Sequence, residues 1–136
     1  MRWSITGILL VTLMTSCQSM QESQSLIPLP ETTPAQPFSD LVTRARSQAL
    51  AATECFYLNK WQDLEEIAKV MSQTARFMER ATGIPAARQQ QVLAIAAEIV
   101  QESSKLSTLA KSHDEPATQQ CLQRIQVKVR ELHEKP

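Results

Sequence analysis

Between Ser39 and Lys135 the chain contains one glycine, Gly83, and two prolines, Pro85 and Pro116. Glycine supplies the positive φ of tight hairpin turns and the close backbone approach of phosphate-cradling loops. Proline interrupts helices by removing an N–H and fixing φ. A stretch with so few of either must run in long helices and turn only where the breakers stand. The 98 residues from Ser39 to Pro136 also hold 14 Ala and 11 Gln, both good helix formers.

Apolar residues in this stretch recur at spacings of three and four, the period of a helix. Leu41, Ala45, Ala49, Ala52 and Phe56 make one stripe, and Leu64, Ala68, Met71, Ala75, Met78 and Thr82 a second. A third runs through Val92, Ala96, Ile99, Ser103, Leu106 and Ala110, and a fourth through Thr118, Leu122, Ile125, Val129 and Leu132. The expectation is an all-α fold, an antiparallel up-down four-helix bundle over 39–136 with helices at about 40–58, 60–82, 86–112 and 116–134. Ser39 or Asp40 suits the first N-cap, Gly83 a C′ position, and Pro85 and Pro116 the first turns of the helices they precede.

One boundary is not forced by a breaker. No Gly or Pro stands between Phe38 and Gly83, so one helix of more than 40 residues competes with two. We place a turn at Asn59-Lys60. Asn is a good N-cap, Gln62 lies where a capping box needs it, and Asp63, Glu65 and Glu66 complement the positive end of a new helix.

Ahead of the bundle, Arg2 precedes the apolar run Ile5–Met14, which ends in Thr15-Ser16-Cys17. This is the pattern of a secretory signal peptide, and the run is about half the ~20 residues a membrane-spanning helix requires. Met14-Thr15-Ser16-Cys17 resembles the lipobox of bacterial lipoproteins, with Met14 in place of the usual Leu. The resemblance implies cleavage of residues 1–16 and a thioether-linked lipid, with further acyl chains, on Cys17. It also implies a cell-envelope address. Because Gln18 is not Asp, it implies the outer membrane, facing the periplasm, in a Gram-negative host. Residues 17–38 follow as a disordered tether rich in Pro, Ser and Gln, holding Pro28, Pro30, Pro34 and Pro37 without helical periodicity.

Export leaves Cys55 and Cys121 as two thiols in an oxidising compartment, where pairing is expected. In the four-helix arrangement both lie about one turn from the same bundle end, on neighbouring helices. In a chain with one long first helix they would be offset by roughly 15 Å, beyond disulfide reach. A Cys55–Cys121 bridge therefore favours four helices. It would contribute about 4 kcal/mol through the entropy of the unfolded loop.

The chemistry-bearing residues do not assemble into a recognisable catalytic set. Fourteen Lys+Arg balance fourteen Asp+Glu without a basic block, which argues against nucleic-acid binding. His113, Asp114 and Glu115 are consecutive at a helix start, where capping and the helix dipole explain acids. A di-iron bundle needs Glu-x-x-His units, but His113 follows Ala110 and His133 follows Arg130 at that spacing. Glu98 and Glu102 read as a surface pair, Glu98 also within reach of Lys105. No Ser or Cys lies in a nucleophile motif. No catalytic residue, metal or cofactor is expected, and the chain is read as a non-enzyme.

Phe56, Tyr57 and Trp61 gather at one bundle end, where they close the core or form a candidate partner contact. In architecture the body resembles the cytochrome c′ and cytochrome b562 bundles. It lacks their haem motif, since Leu122, Ile125 and Gln126 stand where the two Cys and the His of the attachment unit would align. The runs Trp61-Gln62-Asp63-Leu64-Glu65, Thr74-Ala75, Arg124-Ile125 and Val129–Leu132 also resemble a set of uncharacterised exported helical bundles. The combined expectation is a lipid-anchored structural or protein-interaction module, bound to a membrane through its N-terminal lipid. Its partner is another protein or a second copy, met by exposed Gln-rich faces such as Arg88-Gln89-Gln90-Gln91 and Gln119-Gln120. The competing class is a small-ligand or non-covalent haem binder using Met78 and His133.

Overall fold

The structure, a computed structural model, describes residues 24–133; the leader 1–16, Cys17 and residues 18–23 lie outside the described residues. The described chain forms four α-helices: α1 (Phe38–Tyr57), α2 (Trp61–Phe77), α3 (Gln89–Ser112) and α4 (Glu115–His133). Each packs on the next and α4 returns to α1, closing a ring of four around one core. This is the up-down bundle that the stripes require.

Nearly every stripe position is buried, from Leu41 and Ala45 on α1 to Val129 and Leu132 on α4. Leu64, Met71, Met78, Ile99, Leu106 and Ile125 have no exposed surface at all. Burying one such side chain is worth about 1.5–3 kcal/mol, and truncating one to Ala costs about 2–5 kcal/mol through lost contact and the cavity left behind. The exceptions are Phe56, half-buried at the bundle end, and Thr82, which lies beyond α2 and is exposed.

The α1–α2 turn sits where the sequence places it, but by different chemistry. Asn59 is not an N-cap. It adopts φ 56° just past the end of α1, with its N–H donating to Phe56 O and the Lys60 N–H to Cys55 O at 2.8 Å. Those two bonds are a Schellman motif, in which a left-handed residue lets the chain fold back onto the last carbonyls of the helix. Lys60 precedes α2 without a side-chain cap. The α3–α4 turn repeats the device: His113 has φ 54°, its N–H donates to Ala110 O, and the Asp114 N–H donates to Leu109 O. Asp114 then caps α4, its Oδ1 accepting from the Ala117 N–H at 3.1 Å.

The opposite end of the bundle departs from expectation. α2 ends at Phe77 and continues as a 3₁₀ turn (Met78–Arg80), so Gly83, with φ 78°, lies in a loop and not at C′. Pro85 precedes a second 3₁₀ turn (Ala86–Arg88) instead of opening α3 directly. This loop is tied to the start of α1: Phe38 N–H donates to Thr82 O at 2.8 Å and Thr82 N–H to Gln36 O at 2.9 Å. Arg88, buried, spans to the last turn of α4 and donates to Glu131 O at 3.0 Å, satisfying a carbonyl that the helix end leaves open.

Candidate functional site

The segment before α1 is irregular, as its prolines dictate, yet its described part lies on the bundle instead of running free. Residues 24–37 cross the groove between α1 and α2 and reach Phe38 through backbone bonds around Gln36 and Pro37. Four side chains of the body hold the segment. Gln73 grips Leu29 twice, accepting its N–H at Oε1 (3.0 Å) and donating from Nε2 to its carbonyl (2.7 Å). Gln48 donates to Ser25 O at 2.7 Å and to Thr74 Oγ1 at 2.9 Å. Arg44 donates to the carbonyls of Gln24 and Ile27, and Arg80 to that of Glu31.

Gln48 and Thr74 are fully buried amid apolar neighbours. A buried amide without partners costs about 1–3 kcal/mol; the bonds to Thr74 Oγ1 and Ser25 O satisfy the Gln48 Nε2, while its Oε1 is buried without a partner. Backbone carbonyls are the chief targets of the clasp. It therefore reads the path of the chain more than its side chains, apart from Leu29, which packs against the core edge.

On the opposite side, α3 and α4 enclose an open groove of about 570 Å³. Its walls are ion pairs and amides: Arg124 to Glu102 at 3.0 Å, Lys128 to Glu98 at 2.8 Å and to Glu131 at 3.2 Å, flanked by Gln101, Gln120 and Gln123. The hydrogen bonds that the Lys128 ammonium donates to Glu98 and Glu131 hold its pKa above the ordinary value. Every charge named here is matched, so the groove can exchange hydrogen bonds with a partner.

The sequence-derived site residues can now be placed. Phe56 packs edge-on against Tyr57 (centroids 5.4 Å apart) and Trp61 (5.8 Å), and Trp61 stacks on His113 at 4.9 Å. The cluster closes the core across the two Schellman turns, and His113 is the fourth ring of that lid. Tyr57 stays 67% exposed, with Leu58 beside it.

Cys55 and Cys121 do not pair; both are free thiols. The bridge fails because α4 turns Cys121 toward α3. There its thiol is buried and donates to Glu102 O at 3.2 Å and Glu102 Oε2 at 3.3 Å. Burial, reinforced by the Glu102 hydrogen bond and charge, pushes the Cys121 pKa up to about 12. Cys55 is half-buried on α1, its pKa raised by burial and then by Asp63. A thiol held protonated is a poor nucleophile, so neither cysteine is set up for catalysis. Cys17 lies outside the described residues.

The clasp residues Arg44, Gln48, Gln73 and Arg80 are the functional candidates that periodicity misses. A signal was present. Gln48 falls on the α1 stripe, three after Ala45 and four before Ala52, and Thr74 falls likewise between Met71 and Met78 on α2. Two polar side chains on facing apolar stripes must satisfy each other or something laid over them.

Among the described residues no group of His, Cys, Asp and Glu is arranged to hold a metal ion, and no helix is long and apolar enough to cross a membrane. Comparison with protein-family models, with curated proteins and with solved structures finds no match to the chain.

Proposed function

We propose that this chain is a lipid-anchored structural or protein-interaction module of a bacterial cell envelope, without catalytic activity, held to the membrane by acyl chains on Cys17. The observation that carries the reading is the clasp: the segment following the anchor site is bound along the body instead of serving only as spacer. A chain from Cys17 to Gln24 makes seven peptide steps, a reach of at most about 25 Å. With the clasp closed, the bundle is held within that distance of the lipid. Its α1–α2 side lies nearest the anchor, and the α3–α4 groove is turned toward a partner. Stable anchoring fits several acyl chains, since each buried CH₂ contributes about 0.8 kcal/mol. In a Gram-negative host, Gln18 after the anchor cysteine supports the periplasmic face of the outer membrane.

The haem-binding alternative has less support. The bundle interior is filled by apolar side chains, Met78 is fully buried among them, and His133 is exposed on the α1–α4 side.

The test is to express the full chain and its Cys17→Ser variant in a bacterial host, fractionate the cells and weigh both products. The wild type should be membrane-bound and carry the mass of a cleaved, acylated chain, and the variant should lose both properties. Equal membrane association and unmodified mass in the two would refute the anchor. A haem absorption band in the purified wild type would refute the interaction-module reading.

A further inference from the structure

The groove between α1 and α4 is lined by Arg46, Arg130 and His133, and among the described residues no carboxylate lines it. It is open, about 310 Å³, and its rim carries Leu50, which is 64% exposed. Across the seam Gln126 Nε2 donates to Thr53 Oγ1 at 2.8 Å, which fixes the two helices against each other at one end of the groove. Among the described residues neither Arg46 nor Arg130 forms an ion pair, in a mature chain that would hold 13 basic against 14 acidic residues after removal of the leader. The nearest carboxylates of α1, Asp40 and Glu54, stand six and eight residues from Arg46. That places them roughly 9 and 12 Å away along the helix axis.

The other flank of α1 receives the segment 24–37. α1 contributes Arg46 and Leu50 to the groove and Arg44 to the clasp. Beyond Arg44 lie Leu26 and Ile27, the latter 62% exposed. Exposed apolar side chains therefore flank α1 on both sides, Leu50 toward the groove and Ile27 toward the clasp, with Arg46 lining the groove beside Leu50 and Arg44 donating to the Ile27 carbonyl. Apolar residues beside guanidinium groups are the pattern of a surface that rests at a membrane interface, where the cations meet headgroup phosphates and the apolar groups enter the acyl boundary.

The geometry points to the α1–α4 groove as a binding site for anionic phospholipid headgroups, through which the outward face of α1 seats on the membrane. Arg46 and Arg130 offer planar donor forks that match phosphate oxygens, and His133 adds a third donor. Leu50, Leu26 and Ile27 supply shallow apolar contact. The orientation half of this inference rests on the Cys17 anchor; the headgroup site itself does not.

The two are separable by working with the full chain carrying Cys17→Ser, which removes lipidation. Its partitioning is measured onto phosphatidylglycerol-containing vesicles and onto vesicles of phosphatidylcholine alone. Any contribution of the apolar leader is shared by both lipid compositions and by all variants. The parent should prefer the anionic vesicles, and the preference should fade with salt. Arg46→Gln with Arg130→Gln should weaken that preference roughly thirty-fold, about five-fold per arginine. Lys60→Gln with Lys105→Gln, an equal charge change elsewhere, should have little effect. Equal binding by the arginine variant, or an equal loss in the lysine control, would overturn the proposal. So would displacement by inorganic phosphate at constant ionic strength, which would identify a free anion as the ligand. Loss of the Cys17 modification in the fractionation test would remove the anchor and leave this result standing.

Discussion

Replacing Gln73 with Met should release the anchor segment without unfolding the bundle. Gln73 makes both hydrogen bonds to Leu29 and is itself only partly buried, so Met preserves the length of the side chain while leaving no enclosed polar atom unpaired. Each of the two bonds contributes about 1 kcal/mol net. Their loss therefore shifts the local opening equilibrium by about 2 kcal/mol, roughly thirty-fold. Native-state hydrogen exchange resolves the effect. Protection of the Leu29 amide should fall about thirty-fold, while core amides such as Ile99 should stay within a factor of about two. Cleavage after Glu31 by a glutamate-specific protease should accelerate in step. If Leu29 protection is unchanged, the clasp carries no energy. If the core amides lose protection in parallel, the segment is part of the global fold and no independent clasp exists. On the proposed anchoring, each full opening of the clasp would lengthen the maximum reach from Cys17 from about 25 Å to about 75 Å, and the variant would make such openings more frequent.

Other consequences follow from single residues. Asn59 occupies a left-handed position, so Asn59→Val should cost about 1–2 kcal/mol in denaturant unfolding, whereas Asn59→Gly should be neutral or stabilising. Ser103 Oγ is buried without a partner, and Ser103→Ala should raise stability by about 1 kcal/mol; a fall of that size would mean the hydroxyl is satisfied. Cys121 sets an alkaline limit. Its folded pKa is raised to about 12, so the native thiol stays protonated while the unfolded one ionises near its ordinary value. Stability is then undiminished below about pH 8.5–9 and declines above it, by up to about 1.4 kcal/mol per pH unit. Cys121→Ala should flatten that decline, and in alkylation at neutral pH Cys55 should react well before Cys121 in the folded protein.

The bundle was legible because its rule is local and repetitive. A stripe such as Val92-Ala96-Ile99-Ser103-Leu106-Ala110 has one way to be buried, and all six residues are buried. The α1–α2 turn was legible in place but not in mechanism. Asn serves both as an N-cap and as a left-handed C′ residue, and the sequence does not say which side of the turn claims it. Pairing of Cys55 with Cys121 is expected from an oxidising compartment and from a shared axial height on neighbouring helices. Height decides whether two residues share a level of the bundle, but the face of each helix decides contact, and Cys121 faces α3. The clasp lay beyond periodicity because residues 24–37 have none, and what binds them are side chains whose partners are backbone carbonyls.

The polar residues that interrupt the apolar stripes divide into two kinds, and the difference locates function. Ser103 and Thr118 are buried with unpartnered hydroxyls, small enough for the packing to absorb. Gln48 is large and fully buried; its Oε1 is likewise unpartnered, but its Nε2 donates to Thr74 Oγ1 and to the Ser25 carbonyl of the segment that crosses above it. Leu or Met at that position would pack at least as well, so stability alone gives no reason for an amide. A residue whose role depends on a bound segment makes the bundle a receptor for its own leash. The leash is held by single bonds of about 1 kcal/mol, not by a deep apolar seam, and so can be released by modest force or a competing partner. On the proposed anchoring, the closed leash would keep the α1 face within reach of headgroups and the open one would let the α3–α4 groove travel. The placement of Gln48, Gln73, Arg44 and Arg80 on one side, with paired charges on the other, is the asymmetry expected of the proposed module, whose distance from a membrane would be set by its own fold.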